Sequence, residues 1–325
     1  MLITDWYRRK FDIGNMKIAT AGSCFAQHIG RALKAAGYPF VDTEPPPPGL
    51  APEHRQSFGF GMYSARYGNV YTSRQLVQLF QRSVGDFIPE LSAWPHRGGF
   101  VDPFRPAIEP DPFATIEELE TNRRAHLLKV REIFGQADLL IFTLGLTECW
   151  CARHDGAALP LAPGVAGGVY EPSEYQFVNL SMTDVVADME TLFKLARRRH
   201  PNMHFILTVS PVPLAATATN EHVIVATTYS KSVLRAACGE LVSRHNFVDY
   251  FPSFEIISSH PMRGEFYAAN GRDVRPEGVA HVMKHFFSEH PAQRATGDMA
   301  LDGEADWERA ACEEELLAAA AARRS

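Results

Sequence analysis

The side chain best placed to do chemistry is Ser23, in Gly22-Ser23-Cys24-Phe25-Ala26, directly after the short apolar run 17–21. A buried strand that enters a Gly-Ser turn and then a helix sets one hydroxyl at the carboxyl edge of a sheet, beside the backbone N–H groups of a helix start. That is a place for nucleophilic attack. Its plainer reading is a helix N-cap, which uses the same residue type for hydrogen bonding alone. Cys24 adds a second reactive group: a thiol at a helix N-terminus can lose its proton readily, although a side chain just past the turn also suits the sheet–helix interface as a small apolar group. Lys231 and Arg105 are candidate contacts for a substrate carboxylate or phosphate, with ordinary salt bridging as the alternative. Cys149-x-Cys151 lacks a second ligand pair, so it reads as small apolar residues at a strand end and not as a metal centre.

These groups meet only if the intervening elements bring them to one edge. Strand candidates lie at 17–21, 39–42, 138–144, 204–210 and 247–251, short runs rich in Ile, Leu, Val and Phe. Helical patterns lie between them, at 27–36, 116–134, 182–199 and 230–244, with a further one at 74–83. Such alternation predicts a three-layer α/β/α fold with a parallel five-stranded sheet in flavodoxin-like order, binding its ligand above the carboxyl edge. The segment 58–106 is rich in aromatic and polar residues and predicts an insertion, spanning about 44–110, that covers the site as a lid. Arg197-Arg198-Arg199 reads as the last turn of a helix, where cations offset the helix dipole.

At 325 residues the chain fits one α/β domain, 1–292, followed by a polar linker and C-terminal helix over 293–325. That helix, at 305–323, is a candidate contact for a homo-oligomer. The net charge of −6 with mixed signs argues against nucleic acid as a partner, because phosphate binding needs clustered Lys and Arg. Five cysteines without a disulfide-like framework favour a reducing compartment. With no leader-like start and no apolar run of membrane length, the expectation is a cytoplasmic protein without membrane insertion.

Gly-Ser-Cys-Phe-Ala resembles the signature of the GSCFA family, a branch of the SGNH (GDSL-like) hydrolase and acyltransferase superfamily. The resemblance extends, in the family's order over roughly residues 15 to 290, through Tyr67-Gly68-Asn69-Val70-Tyr71-Thr72, Asp102-Pro103-Phe104-Arg105-Pro106, Thr143-Leu144-Gly145-Leu146-Thr147-Glu148-Cys149-Trp150, Ser210-Pro211-Val212-Pro213, Tyr229-Ser230-Lys231-Ser232 and Phe251-Pro252-Ser253-Phe254-Glu255-Ile256. It implies an O-acyl esterase or O-acyltransferase that works through an acyl-enzyme on Ser23, with the Ser23 N–H as first oxyanion donor. Cys24, Gly68, Asn69, Thr147 and Glu148 mark the loops that would supply other donors or substrate contacts. The superfamily's Gly-x-Asn-Asp motif ends here in Thr147-Glu148, which favours Asn69 as the amide donor, with a turn role as its alternative.

The superfamily's Asp-x-x-His, which completes the triad before the last helix, is replaced here by Asn270 and Asp273. Three explanations compete: His260 serves as base from the loop after the fifth strand, Asp273 does so with Glu148 as a coupled carboxylate, or the pocket binds without catalysing. His281 and His285, spaced i, i+4, suit a solvated or packing face of the last helix. The implied substrates are small acyl compounds or glycans, as in polysaccharide biosynthesis. Tyr63, Tyr67, Tyr71, Trp94 and Trp150 offer aromatic faces for sugar rings or for packing. An esterase needs no cofactor; a transferase would draw on an acyl carrier such as acetyl-CoA.

Overall fold

A computed structural model describes residues 4–291, so the expected C-terminal helix at 305–323 lies outside the described residues. Strand β1 (Ile18–Gly22) leads through Ser23 into α1 (Cys24–Ala35). One helical turn, α2 (Pro52–Arg55), precedes α3 (Ser73–Val84), and a hairpin of β2 (Trp94–His96) and β3 (Gly99–Val101) follows. Helix α4 (Ile116–Gln136) returns the chain to β4 (Leu139–Leu144). Then come the short strands β5 (Glu148–Ala152), β6 (Ala158–Leu159) and β7 (Tyr175–Asn179). Helix α5 (Met182–Arg199), β8 (His204–Val209), α6 (Val223–Arg244), β9 (Val248–Tyr250), α7 (Ser253–Ser258) and α8 (Pro276–Glu289) complete the order.

β1, β4, β8 and β9 form a parallel sheet in the order β1-β4-β8-β9. Period-two alternation divides their side chains between two cores. Ala19, Ala21, Leu140, Phe142, Phe205 and Leu207 face a core shared with Leu76, Phe80, Val130, Leu192 and Leu234 from α3 to α6. Ile18, Leu139, Ile141 and Ile206 face the other, shared with Phe25, Leu33, Ile256, Val282 and Phe286 from α1, α7 and α8. Burial on both faces explains why these strands read as unbroken apolar runs.

The expected strand at 39–42 is reduced to a single parallel bridge between Ile18 and Phe40, on the side of β1 away from β4. The reason is local competition for β1's backbone groups. The Thr20 N–H is taken by Ser64 Oγ at 3.0 Å, and the Thr20 carbonyl accepts the Tyr67 hydroxyl. A pairing strand has no ladder positions left beyond Ile18.

The 44–110 segment is also more integrated than a lid. Helix α3, capped by a Thr72/Gln75 capping box and closed by Gly85 at φ 83°, packs Leu76, Val77 and Phe80 into the sheet core. Tyr63, Tyr67, Tyr71 and Trp94 are buried as packing groups, which leaves only Trp150 of the five expected sugar-facing aromatics partly exposed. Around this segment, Asp102 sits between Arg105 at 3.0 Å and Arg123 at 2.8 Å, Arg66 pairs with Glu109, and His126 meets Glu44 at 2.7 Å. A second, antiparallel sheet, β6-β5-β7, follows β4.

Candidate active site

Gly22 and Ser23 form the junction between β1 and α1 at the carboxyl edge of the sheet. Gly22 has φ 145°, and a Cβ there would lie 2.5 Å from the Thr143 carbonyl oxygen, so glycine alone lets β1 end this close to β4. Ser23 stands at the N-cap position of α1, yet its side chain makes no capping hydrogen bond. The hydroxyl is buried and has no hydrogen-bond partner among the described residues. A cap that does not cap has to be accounted for otherwise, because a buried unsatisfied hydroxyl costs about 1–3 kcal/mol. Its N–H, expected as the first oxyanion donor, instead extends the sheet ladder to Thr143 O at 3.2 Å.

Two loops are laced to this turn. In the first, the Val70 N–H donates to Gly22 O at 2.9 Å. Asn69, buried within it, accepts the Tyr63 hydroxyl at 2.5 Å and a Gln27 amide N–H at 3.4 Å through Oδ1. Tyr63 Oη also lies 3.2 Å from the Ser23 carbonyl oxygen. As placed, the Asn69 amide oxygen faces Tyr63 and Gln27. Gly68 precedes it with φ 69°, the left-handed conformation that a turn there requires. Tyr63 is expected from the sequence only as an aromatic face, and its bonds with Gln27 and Asn69 leave no spacing signal, because Gln27 lies 36 and 42 residues from these partners.

In the second loop, the Gly145 and Leu146 N–H groups both donate to Tyr71 O, at 2.9 and 3.2 Å. A Cβ on Gly145 would approach the Ser23 Cβ to 3.0 Å. Lys231 from α6, 2% exposed, donates from Nζ to the Gly145 carbonyl at 2.5 Å. The neighbouring Ser230 Oγ accepts the Thr147 N–H at 2.9 Å, and Thr147 Oγ1 donates to Asn179 Oδ1 at 2.6 Å. Thr147 therefore holds the loop and does not present a donor. Glu148 is similarly engaged: its carboxylate accepts the Thr217 hydroxyl at 2.6 Å and the Ala218 N–H at 3.1 Å.

The structure thus gathers Ser23, Asn69, Gly145 and Lys231 around one turn. Cys24 is buried in the first turn of α1, next to it. Arg105 is committed to the ionic cluster: its guanidinium bonds Asp102, Asn122 and the Arg66 carbonyl. Asp273 and His260 are exposed, on the segment between α7 and α8. Asp273 accepts from Asn270 Nδ2 at 2.8 Å, while Asn270 Oδ1 accepts the Arg272 and Asp273 N–H groups, a self-contained Asx-type turn. That segment is fastened over the end of β8, where Tyr267 donates to Pro211 O at 2.8 Å and Arg272 to Pro213 O at 3.2 Å. Neither residue hydrogen-bonds the Ser23 hydroxyl, which has no such partner. Among the described residues, no helix is long and apolar enough to cross a membrane.

The GSCFA family model matches residues 17–286 of the chain. No curated protein matches it.

Proposed function

Because the chain belongs to the GSCFA family, we propose that it is a serine acyl-transfer enzyme of the SGNH kind, an O-acyl esterase or O-acyltransferase acting on a carbohydrate-related substrate. The observation that carries this reading is the buried Ser23 hydroxyl, at a strand-to-helix turn, without the cap bond that would give it a purely structural role. In the reaction, Ser23 Oγ adds to an ester carbonyl and its proton passes to a base. The bond from the carbonyl carbon to the alcohol oxygen breaks, and that oxygen takes up the proton. Water or an acceptor hydroxyl then removes the acyl group from Ser23. The Asn69 amide, oriented by Tyr63 and Gln27, is the side-chain donor for the developing oxyanion. The proposed base is His260 or, as the alternative, Asp273, both on the segment between α7 and α8. A flavodoxin-like order belongs to this reading, and the Ile18–Phe40 bridge beside β1 supports it. As a cytoplasmic transferase, the protein would take its acyl group from a carrier such as acetyl-CoA.

The test is covalent. A fluorophosphonate probe should add one label to the wild type and none to Ser23→Ala by intact mass, and His260→Ala or Asp273→Asn should then slow the labelling. A non-catalytic ligand-binding module is the second reading, favoured by the mutual Asn270–Asp273 hydrogen bond on the exposed loop. It gains if the wild type resists the probe and leaves p-nitrophenyl esters intact.

A further inference from the structure

The 145–148 loop has two sides. Gly145 packs on Ser23, while Leu146 and Glu148 border a cavity of about 160 Å³. Its lining includes Trp150, Phe177 and Leu159 from the small antiparallel sheet, Leu161 just after β6, and Leu214 from the chain after β8. Glu148 is the one charged residue lining it among the described residues. Its carboxylate is tied to Thr217 and Ala218, which also line the cavity. The same post-β8 chain carries the Pro211 and Pro213 carbonyls that anchor the segment bearing His260 and Asp273. Through Leu146 the cavity borders the residue that follows Gly145, the residue packed on Ser23.

We infer that this cavity receives the acyl chain of the ester that Ser23 attacks, a chain of about six carbons. The inference rests on the serine acyl-transfer reading and names its substrate class. An apolar cavity of about 150 Å³ accommodates a guest the size of benzene, so an acetyl group would leave most of this space without contacts. A sugar ring would bury hydroxyls against leucine and aromatic carbon, where they lack partners. A linear acyl chain meets neither objection. The carbohydrate-related alcohol then occupies the open side of the turn.

The test uses the full chain and a series of p-nitrophenyl esters from acetate to dodecanoate. The expected kcat/KM rises about fourfold per methylene up to hexanoate and falls by dodecanoate. Ala216→Trp and Ala162→Phe, which fill the cavity from two sides, should bring the hexanoate-to-acetate ratio close to one. A flat wild-type series, or an unchanged ratio in both variants, overturns the assignment while leaving Ser23 as nucleophile. A preference that follows the length of the alcohol in acetate esters, and not the length of the acyl chain, overturns it too, because the cavity then holds the leaving group.

A measurement free of turnover separates the two ideas. Methyl hexanoate, and not methyl acetate, should change the fluorescence of Ser23→Ala saturably, and the change should vanish when Trp150→Phe is added. That result with a wild type inert to every ester would keep the cavity assignment and remove the serine chemistry. Absence of both turnover and binding overturns both.

Discussion

Around Ser23, geometry is set by a residue with no side chain and one with a long one. A methyl group on Gly145 would sit 3.0 Å from the Ser23 Cβ and 3.2 Å from the Tyr71 carbonyl oxygen, both tighter than ordinary contact. Gly145→Ala should therefore displace the serine turn and slow fluorophosphonate labelling on the order of 10–100-fold, with labelling rate as the readout and circular dichroism confirming the fold. Lys231 acts from α6: its Nζ holds the Gly145 carbonyl, which makes it a positioning residue in this structure. Lys231→Met leaves that acceptor without its donor at a buried site. The expected loss is about 1–3 kcal/mol in urea unfolding, accompanied by slower labelling. An unchanged labelling rate would show that the loop keeps its place without the amine.

Among the elements, those with strong local signals match the sequence reading and those defined by distant competition do not. Helix α5 has the predicted bounds because Ser181 and Asp184 form a capping box at one end and three arginines close the other. Helix α6 starts seven residues before its predicted position, since Val223-Ile224-Val225 has little helical propensity but follows a His222 side chain that accepts the Ile224 N–H. The bridge at Phe40 was illegible for another reason, as Ser64 and Tyr67 reach β1 from over 40 residues away. For the site, the Gly-Ser turn was readable, whereas the Tyr63–Asn69–Gln27 network and the role of Lys231 exist only after folding. The aromatic segment taken for a lid is instead fastened by charge. Burial pushes the Asp102 carboxyl up, but the Arg123 and Arg105 guanidiniums win and hold it well below the usual carboxylate range. Asp102, 1% exposed, is the common anion of both arginines, so Asp102→Asn should destabilise the protein by about 3–5 kcal/mol, read as a lower urea midpoint.

For the molecule as a whole, acid sensitivity should begin at histidines and not at carboxylates. Burial lowers His28, His126 and His290 to about 4 each, assisted by Arg31, Arg105 and Arg9 respectively. Neutral His126 is then the donor to the Glu44 carboxylate, whose own pKa is lowered by that bond against the upward push of burial. An unfolded histidine titrates at about 6.5. As pH falls from about 6.5 to about 4, the unfolded chain binds protons that the folded chain refuses, so stability is full above that window and declines through it. Urea midpoints measured from pH 8 to pH 4 should fall across this interval, and His126→Gln should flatten part of the decline. A midpoint constant down to pH 4.5 would contradict it.

The side chains that replace a fifth strand beside β1 have a further effect. An unpaired strand edge is a template on which another copy of a protein can assemble, and long exposed edges seed aggregates. Here the edge offers nothing to a newcomer. Beyond the Phe40 bridge, the outward N–H and carbonyl of Thr20 are already spoken for by Ser64 and Tyr67, both buried. The contacts that shorten the sheet thereby also close this edge to a second copy.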